Sequence, residues 1–259
     1  MNINIWQERA KNDENYSSVI DPKDKSGLKA AYAKIVQERA IKTFIKEIKP
    51  GEKTLDFGCG TGRILEYDLF LNTDYYGVDI SPEMIKNARR KWENRPLTNF
   101  YCYNGISLPF EHATFDYIIS TWVFQHIVED NKLEELMAEL AKLLRPNGAL
   151  LFIEQIRDNE YVEMFENGTP FKKYRTALHY KEICGHEFAE INYILVPGVG
   201  NGFFYRILSV LRVGLMKVLV PLFVSIDKLI YRSVFAQSAV MRKIYIGKKW
   251  IDCIYYCKK

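Results

Sequence analysis

The sequence predicts an α/β fold: a doubly wound, mostly parallel sheet with helices on both faces. Three observations predict it. Short strand-like runs recur, each followed by turn residues and a helical stretch: KTLDF, DYYGVDI, NFYCYN, FDYIIST and ALLFIEQ. Helix start and stop residues stand at the joints between them. Glycines cluster at the end of one strand, in LDFGCGTGR at 55 to 63. The 259 residues, 48% hydrophobic and 26% charged, suit one large core and exclude a mainly disordered chain.

The elements follow in order. Tyr32, Ile35, Val36, Ile41, Phe44, Ile45 and Ile48 recur at threes and fours, which predicts an amphipathic helix from about Ala30 to Ile48, stopped by Pro50 and Gly51. KTLDF then leads through the glycine turn into a second helix. Ser81, Pro82 and Glu83 supply an N-cap, a first-turn proline and an early acid for a helix through MIKNARRKW. Asp130 is placed to cap a helix whose Leu133, Leu136, Met137, Leu140, Leu143 and Leu144 form one apolar stripe, ending before Pro146 and Gly148. That stripe spans about two heptads, too few for a partner-binding zipper, so it faces the core. Past Gln155 the rhythm changes: HYKEICGHE reads as helix, FAEINYILV as strand, PGVGNG as loop, and WIDCIYYCKK as a closing strand.

Chemistry concentrates at the glycine cluster. Gly58, Gly60 and Gly62 allow a tight turn whose backbone N–H groups approach a ligand, with a helix N-terminus behind it. Asp79 ends the next strand, where a carboxylate accepts both hydroxyls of a ribose. Together these describe a nucleoside site. A dinucleotide fingerprint would need glycine where Arg63 stands, and no Gly-Lys-Ser or Gly-Lys-Thr follows to make a P-loop.

LDFGCGTGR with VDIS, then NGISLPF, FDYIISTWVFQHI and LLRPNGALLFIEQ, resembles the successive motifs of class I S-adenosylmethionine-dependent methyltransferases over residues 30 to 156. The resemblance implies a Rossmann-like seven-stranded sheet with an extra helical insertion near the C-terminus. It implies a single domain over 1–259, with a helical cap at 1–50, a cofactor-binding core at 51–156 and substrate-side elements at 157–259. Those last elements include the insertion at 203–235 and a final strand at 250–259. By the same resemblance S-adenosylmethionine would be the cofactor, with no metal. Asp56 and the turn of Gly58, Cys59, Gly60, Thr61 and Gly62 would face its methionine part and ribose, and Asp79 would hold the ribose hydroxyls. Ile80 and Met84 would pack on the adenine, with Asn104, Gly105 and Ile106 at its other edge. Ser120, Thr121 and Trp122 would meet the methionine amino group. The family commonly has Asp where Asn104 stands, but an amide oxygen still accepts from the adenine N6.

Methyl transfer to a hydroxyl needs a base, and the candidates are His126, Glu154, His179 and His186. His126 and Glu154 follow the fourth and fifth strands, on the rim where open α/β sheets bind ligands. Both are taken as catalytic candidates, with loop orientation as the alternative for His126 and a hydrogen-bonding role for Glu154. The expected acceptor is a small molecule, a glycan or a lipid-linked molecule, since SSVIDPKDKSGLKAAY and FQHI resemble bacterial methyltransferases of surface-polysaccharide pathways. A nucleic-acid acceptor is the second enzyme reading, weakened by the absence of an Asn-Pro-Pro-Tyr or Asp-Pro-Pro-Tyr motif. A non-catalytic cofactor-binding partner subunit is the third.

Charge and cysteines bound the setting. Residues 203–259 hold 11 Lys and Arg against Asp227 and Asp252, while the rest of the chain is net acidic. Arg206, Lys217, Lys228 and Arg232 gather on one side of a helical projection of 203–235, which reads as an insertion packed on its own domain, a surface for anionic membrane, or an oligomer contact. No apolar run reaches about 18 residues and MNINIWQERAKNDEN lacks a leader pattern, so the expected place is the cytoplasm, with peripheral contact at the inner membrane face. Cys59, Cys102, Cys184, Cys253 and Cys257 form neither a disulfide framework nor a zinc pattern.

Overall fold

In the computed structural model the chain is described for residues 3–11, 27–105, 107–165, 167–196, 221–222, 225 and 251–259. Two helices come first, α1 (Ile3–Lys11) and α2 (Leu28–Phe44). α2 stops before the expected Ile48 because Ile45 turns extended, although Ile45 and Ile48 still reach the core. The expected strands follow as β1 (Lys53–Phe57), β2 (Asp74–Asp79), β3 (Thr98–Cys102), β4 (Phe115–Thr121) and β5 (Leu144–Ile156). α3 (Pro82–Lys91) joins β2 to β3, and α4 (Asp130–Leu143) joins β4 to β5. Then come the strands β6 (Tyr161–Met164) and β7 (Pro170–Tyr174), α5 (Ala177–Gly185), β8 (Glu190–Val196) and β9 (Ile251–Lys258).

The main sheet has seven strands in the order β3-β2-β1-β4-β5-β9-β8. β1 to β5 pair in parallel, and β9 runs antiparallel between β5 and β8. Parallel strands covered on both faces need apolar residues at successive positions. β5 shows it: Leu150 and Phe152 pack with α4 and α5, while Leu151 and Ile153 pack with α2 and α3. Cys253 and Cys257 share the α4/α5 face, as their spacing required. Strand order reverses between β1 and β4, so the carboxyl ends of β2, β1 and β4 surround a crevice.

Local chemistry explains the joints. Ser81 caps α3 by accepting the Met84 N–H at 3.3 Å, with Pro82 in the first turn. Two expectations are corrected. The glycine turn leads into two short 3₁₀ turns, Arg63–Glu66 and Asp68–Phe70, and not into an α-helix with an end-on dipole. Tyr67 stays extended between them because its hydroxyl is drawn to Gln37 and Arg63. Asp130 does not cap α4; Glu129 holds the cap position and the Asp130 carboxylate turns to Lys173 and Arg175. The antiparallel pair β6–β7 was not foreseen. The insertion expected at 203–235 lies outside the described residues apart from Pro221, Leu222 and Ser225. Among the described residues no helix is long and apolar enough to cross a membrane.

Candidate active site

The turn after β1 is built on left-handed glycines: φ is 73° at Gly58, 54° at Gly60 and 75° at Gly62. Two of them also lack room for a side chain. A Cβ at Gly58 would lie 2.4 Å from Val123 Cγ2, and one at Gly62 would lie 2.7 Å from the Trp92 Nε1. That indole N–H donates to the Thr61 carbonyl at 3.0 Å, fixing the turn from outside. Cys59 and Thr61 themselves are buried.

Asp79 is tied to this turn. Its Oδ2 accepts the Gly60 N–H and its Oδ1 accepts the Ser81 N–H, each at 2.9 Å. Burial pushes the carboxyl up, while the N–H groups of Ser81, Gly60 and Ile80 hold it down. Both oxygens are thus oriented by backbone, and each keeps acceptor capacity for a neighbouring hydroxyl. Beside it, a Cβ on Gly105 (φ 81°) would stand 3.7 Å from Ile80 Cδ1, so the two residues border one space. Asn104 Oδ1 accepts the Ser107 N–H at 3.1 Å, Met84 is buried, and Ile106 lies outside the described residues.

Below the turn lie Asp56 and Ser120. Asp56 is 2% exposed and accepts the Tyr75 hydroxyl at 2.7 Å. Burial pushes its carboxyl up to about 7, against the Tyr75 hydrogen bond and the charge of Arg63. Ser120 Oγ donates to the Phe57 carbonyl at 3.0 Å. Above them Arg63 donates to Gln37 Oε1 (2.7 Å), Tyr67 Oη (2.6 Å) and Thr121 Oγ1 (3.2 Å), and its guanidinium faces the Trp122 ring at 5.8 Å. Arg63 had no role in the sequence reading beyond spoiling a dinucleotide fingerprint. Its place, immediately after the last glycine, was the signal available.

The turn from Trp122 to Val128 is held from two sides. Trp122 has φ 60° and donates its indole N–H to Asp252 Oδ1 at 3.0 Å. Glu154, fully buried, accepts three backbone N–H groups: Val123 (2.8 Å), Phe124 (2.7 Å) and Gln125 (3.2 Å). Burial pushes its carboxyl up to about 8, opposed by those donors and by Arg175. Arg175, also fully buried, donates to the carbonyls of Ile127 (2.7 Å), Val128 (3.3 Å) and Phe124 (3.4 Å) and, through Nε, to Asp130 (2.8 Å). Burial works against the charge on Asp130, yet Lys173 and Arg175 hold its carboxyl below the usual range.

Of the four base candidates, His126 stands on this turn. Its Nδ1 lies 3.2 Å from the Phe171 carbonyl, which only accepts, so Nδ1 carries a proton. Trp6 and Phe171 flank the ring at 5.0 and 4.9 Å. Glu154 has no exposed surface and spends its oxygens on the turn. His179 is paired with Glu160 and lies 3.8 Å from Asp130, and His186 is exposed beyond α5. Trp6, Phe171 and Arg175 escaped the sequence reading because nothing local marks them.

Residues 55–152 match the family model described as a methyltransferase domain. The chain is 33% identical over 166 residues to an uncharacterised protein of Methanocaldococcus jannaschii, covering 64% of this chain and 60% of that protein. It is 33% identical over 125 residues to the Homo sapiens protein named Probable tRNA methyltransferase 9B, covering 47% of this chain and 26% of that one. The chain therefore spans less than two thirds of the length of these relatives. Among solved structures, geranyl diphosphate C-methyltransferase from Streptomyces coelicolor superposes with a TM-score of 0.60 at 14% identity, over 92% of this chain and 85% of that one. A Leishmania major S-adenosylmethionine-dependent methyltransferase superposes at 0.57 with 18% identity, over 73% and 76%. Residues 55–152 match the methyltransferase-domain family, and the seven-stranded sheet around them has the fold of these solved methyltransferase structures.

Proposed function

We propose that the protein is an S-adenosylmethionine-dependent methyltransferase that O-methylates a small-molecule, glycan or lipid-linked acceptor. The joining of Asp79 to the glycine turn carries this assignment, because it orients a carboxylate for two adjacent ribose hydroxyls beside backbone N–H groups. When bound, S-adenosylmethionine supplies a methyl group already activated on a sulfonium sulfur. Ile80, Met84, Asn104 and Gly105 frame the adenine, and Arg63 offers its guanidinium to the methionine carboxylate. Asp56, Gly58, Cys59, Thr61, Ser120, Thr121 and Trp122 form the floor and wall. His126 would take the acceptor hydroxyl proton as that oxygen receives the activated methyl group. Glu154 acts on the site through the turn that carries His126.

The name of the human relative favours a second reading, a nucleic-acid acceptor. Incubation with methyl-labelled S-adenosylmethionine and cell extract, followed by separation of lipid, small-molecule, protein and nucleic-acid pools, decides between them. Label in the lipid or small-molecule pool supports the first reading and label in nucleic acid the second. No label from a protein that binds S-adenosylhomocysteine leaves a non-catalytic partner subunit. We propose in addition that the protein docks on anionic membrane surfaces, a reading that rests on the charge of residues 203–259. Cosedimentation with anionic vesicles at low salt, lost at about 0.5 M where the Debye length is about 4 Å, checks it. Cosedimentation unaltered by changing Lys217, Lys228 and Arg232 together to Gln refutes it.

A further inference from the structure

Behind the glycine turn, at the edge of the main sheet, lies a cavity that the proposed cofactor site does not use. It has a volume of about 330 Å³ and is formed by the end of α3, the connection that follows it, and the edge strand β3. Trp92 and Phe100 separate it from the turn, since a Cβ on Gly62 would lie 2.7 Å from the first ring and 3.1 Å from the second. Arg89 and Trp92, three residues apart at the end of α3, turn to the same side.

The guanidinium groups of Arg89 and Arg95 both line this cavity, and both are held by backbone carbonyls alone. Arg89 donates to the Phe100 carbonyl at 2.6 Å. That carbonyl faces away from β2, because the odd-numbered residues of β3 and its ends serve the ladder: the Tyr75 N–H donates to Leu97 and the Tyr103 N–H to Asp79, each at 2.8 Å. Arg95 donates to the carbonyls of Leu71 (3.0 Å), Leu65 (3.5 Å) and Phe70. Among the described residues neither arginine forms an ion pair. Burial pulls the Arg95 guanidinium below its usual range, with Tyr75 opposing, so an anion beside it relieves an uncompensated charge. Each fork is oriented by the protein and keeps donors to spare, which suits a phosphate. Glu93, exposed at the same cavity, and Asn99 offer partners for hydroxyl groups, and Trp92 offers a flat apolar wall.

We propose that this cavity is a second ligand site, which takes a small phosphate monoester with its phosphate against Arg89 and Arg95 and its hydroxylated ring on Trp92. Nucleoside monophosphates and sugar phosphates share that chemistry, and small-ligand pockets start at about this size. The inference stands whether or not the glycine turn holds S-adenosylmethionine.

Titration calorimetry of the full chain with adenosine monophosphate, glucose 6-phosphate and inorganic phosphate tests it. Saturating S-adenosylhomocysteine keeps the nucleoside probe out of the cofactor site, and the sugar phosphate needs no such block. One ester at least is expected to bind more tightly than inorganic phosphate, and the ester that binds names the source. Arg89→Met should raise its dissociation constant at least about tenfold, and Arg89→Lys should recover part of the loss. The Trp92 indole N–H resonance, identified by its absence from Trp92→Phe, should shift during the same titration of the unaltered protein. Equal affinity for inorganic phosphate and both esters marks an adventitious ion only and overturns the inference. Binding that leaves the Trp92 resonance in place or is indifferent to Arg89→Met overturns it too, as does no binding of either ester at about 5 mM.

Discussion

Replacing Asp79 by Asn separates what the carboxylate does for the fold from what it does for a ligand. Asn keeps one side-chain acceptor and turns the other oxygen into a donor. Whichever way the amide sits, either the Gly60 or the Ser81 N–H, each now 2.9 Å from an oxygen, loses its acceptor. That loss is offset in the ligand-free protein, because burial already penalises the Asp79 charge and Asn relieves the penalty. The melting temperature should change by only a few degrees. Binding has no such offset: at least one charge-assisted bond to a ribose hydroxyl goes, at about 1.5–3 kcal/mol. The dissociation constant for S-adenosylhomocysteine should therefore rise roughly 10- to 150-fold. Titration calorimetry near pH 7.5 with EDTA, paired with thermal melts, reads both quantities. A dissociation constant within twofold of wild type would refute the role of Asp79, and a fall of more than about 10 °C in melting temperature would place its main effect in folding.

Three further outcomes follow from the same geometry. Asp56 has a folded pKa of about 7 against an ordinary 3.8, so stability present below about pH 4 is lost as pH rises toward 7. Asp56→Asn does not titrate and still accepts the Tyr75 hydroxyl, so its stability relative to wild type should climb across that window by up to about 1.4 kcal/mol per pH unit; parallel melting curves would contradict it. Arg175→Met leaves Glu154 and three carbonyls without their cation and should cost about 3–5 kcal/mol, seen as a melting temperature roughly 10 °C lower, with Arg175→Lys recovering only part. A fall under about 3 °C would show that the turn does not depend on Arg175. Gly58→Ala forces a left-handed alanine, about 1–2 kcal/mol, and a clash with Val123, so adding Val123→Ala should restore part of the lost stability. Strictly additive losses in the double variant would disprove that contact.

What sequence revealed and what it hid divide by the range of the interactions. The strands and the start of α3 were legible because their causes are local: successive apolar residues for a strand covered on both faces, and a serine followed by proline for a cap. The glycine turn with Asp79 was legible for the same reason, since the atoms that meet are separated only by a short connection. The segment RILEYDLFLNT misled because five of its apolar residues, at 64, 65, 67, 69 and 70, are buried, with Leu71 exposed, in a spacing that a short helix shares with broken 3₁₀ turns. Tyr67 breaks it by reaching Gln37, 30 residues away. Asp130 looked like a cap, but its partners arrive from 173 and 175. Glu154 stood at a strand end like a base, and the N–H groups that occupy it come from about 30 residues earlier.

The buried charges at 154 and 175 make sense only through the turn between them. Buried ionic groups are a weak source of stability, and well-packed apolar residues often serve as well. Phe152 and Ile153, next along β5, follow that rule. At 154 an apolar residue would leave the N–H groups of Val123, Phe124 and Gln125 without acceptors, at about 1–3 kcal/mol each. At 175 it would do the same to the carbonyls of Phe124, Ile127 and Val128. A regular helix starting directly after β4 would satisfy the three carbonyls by itself and leave only its first-turn N–H groups to be capped. It would not let Trp122 adopt φ 60° and reach Asp252 while His126, four residues on, reaches the Phe171 carbonyl. The irregular path thus sets the two rings on the rim of the cleft, and Glu154 and Arg175 supply the partners that such a path lacks.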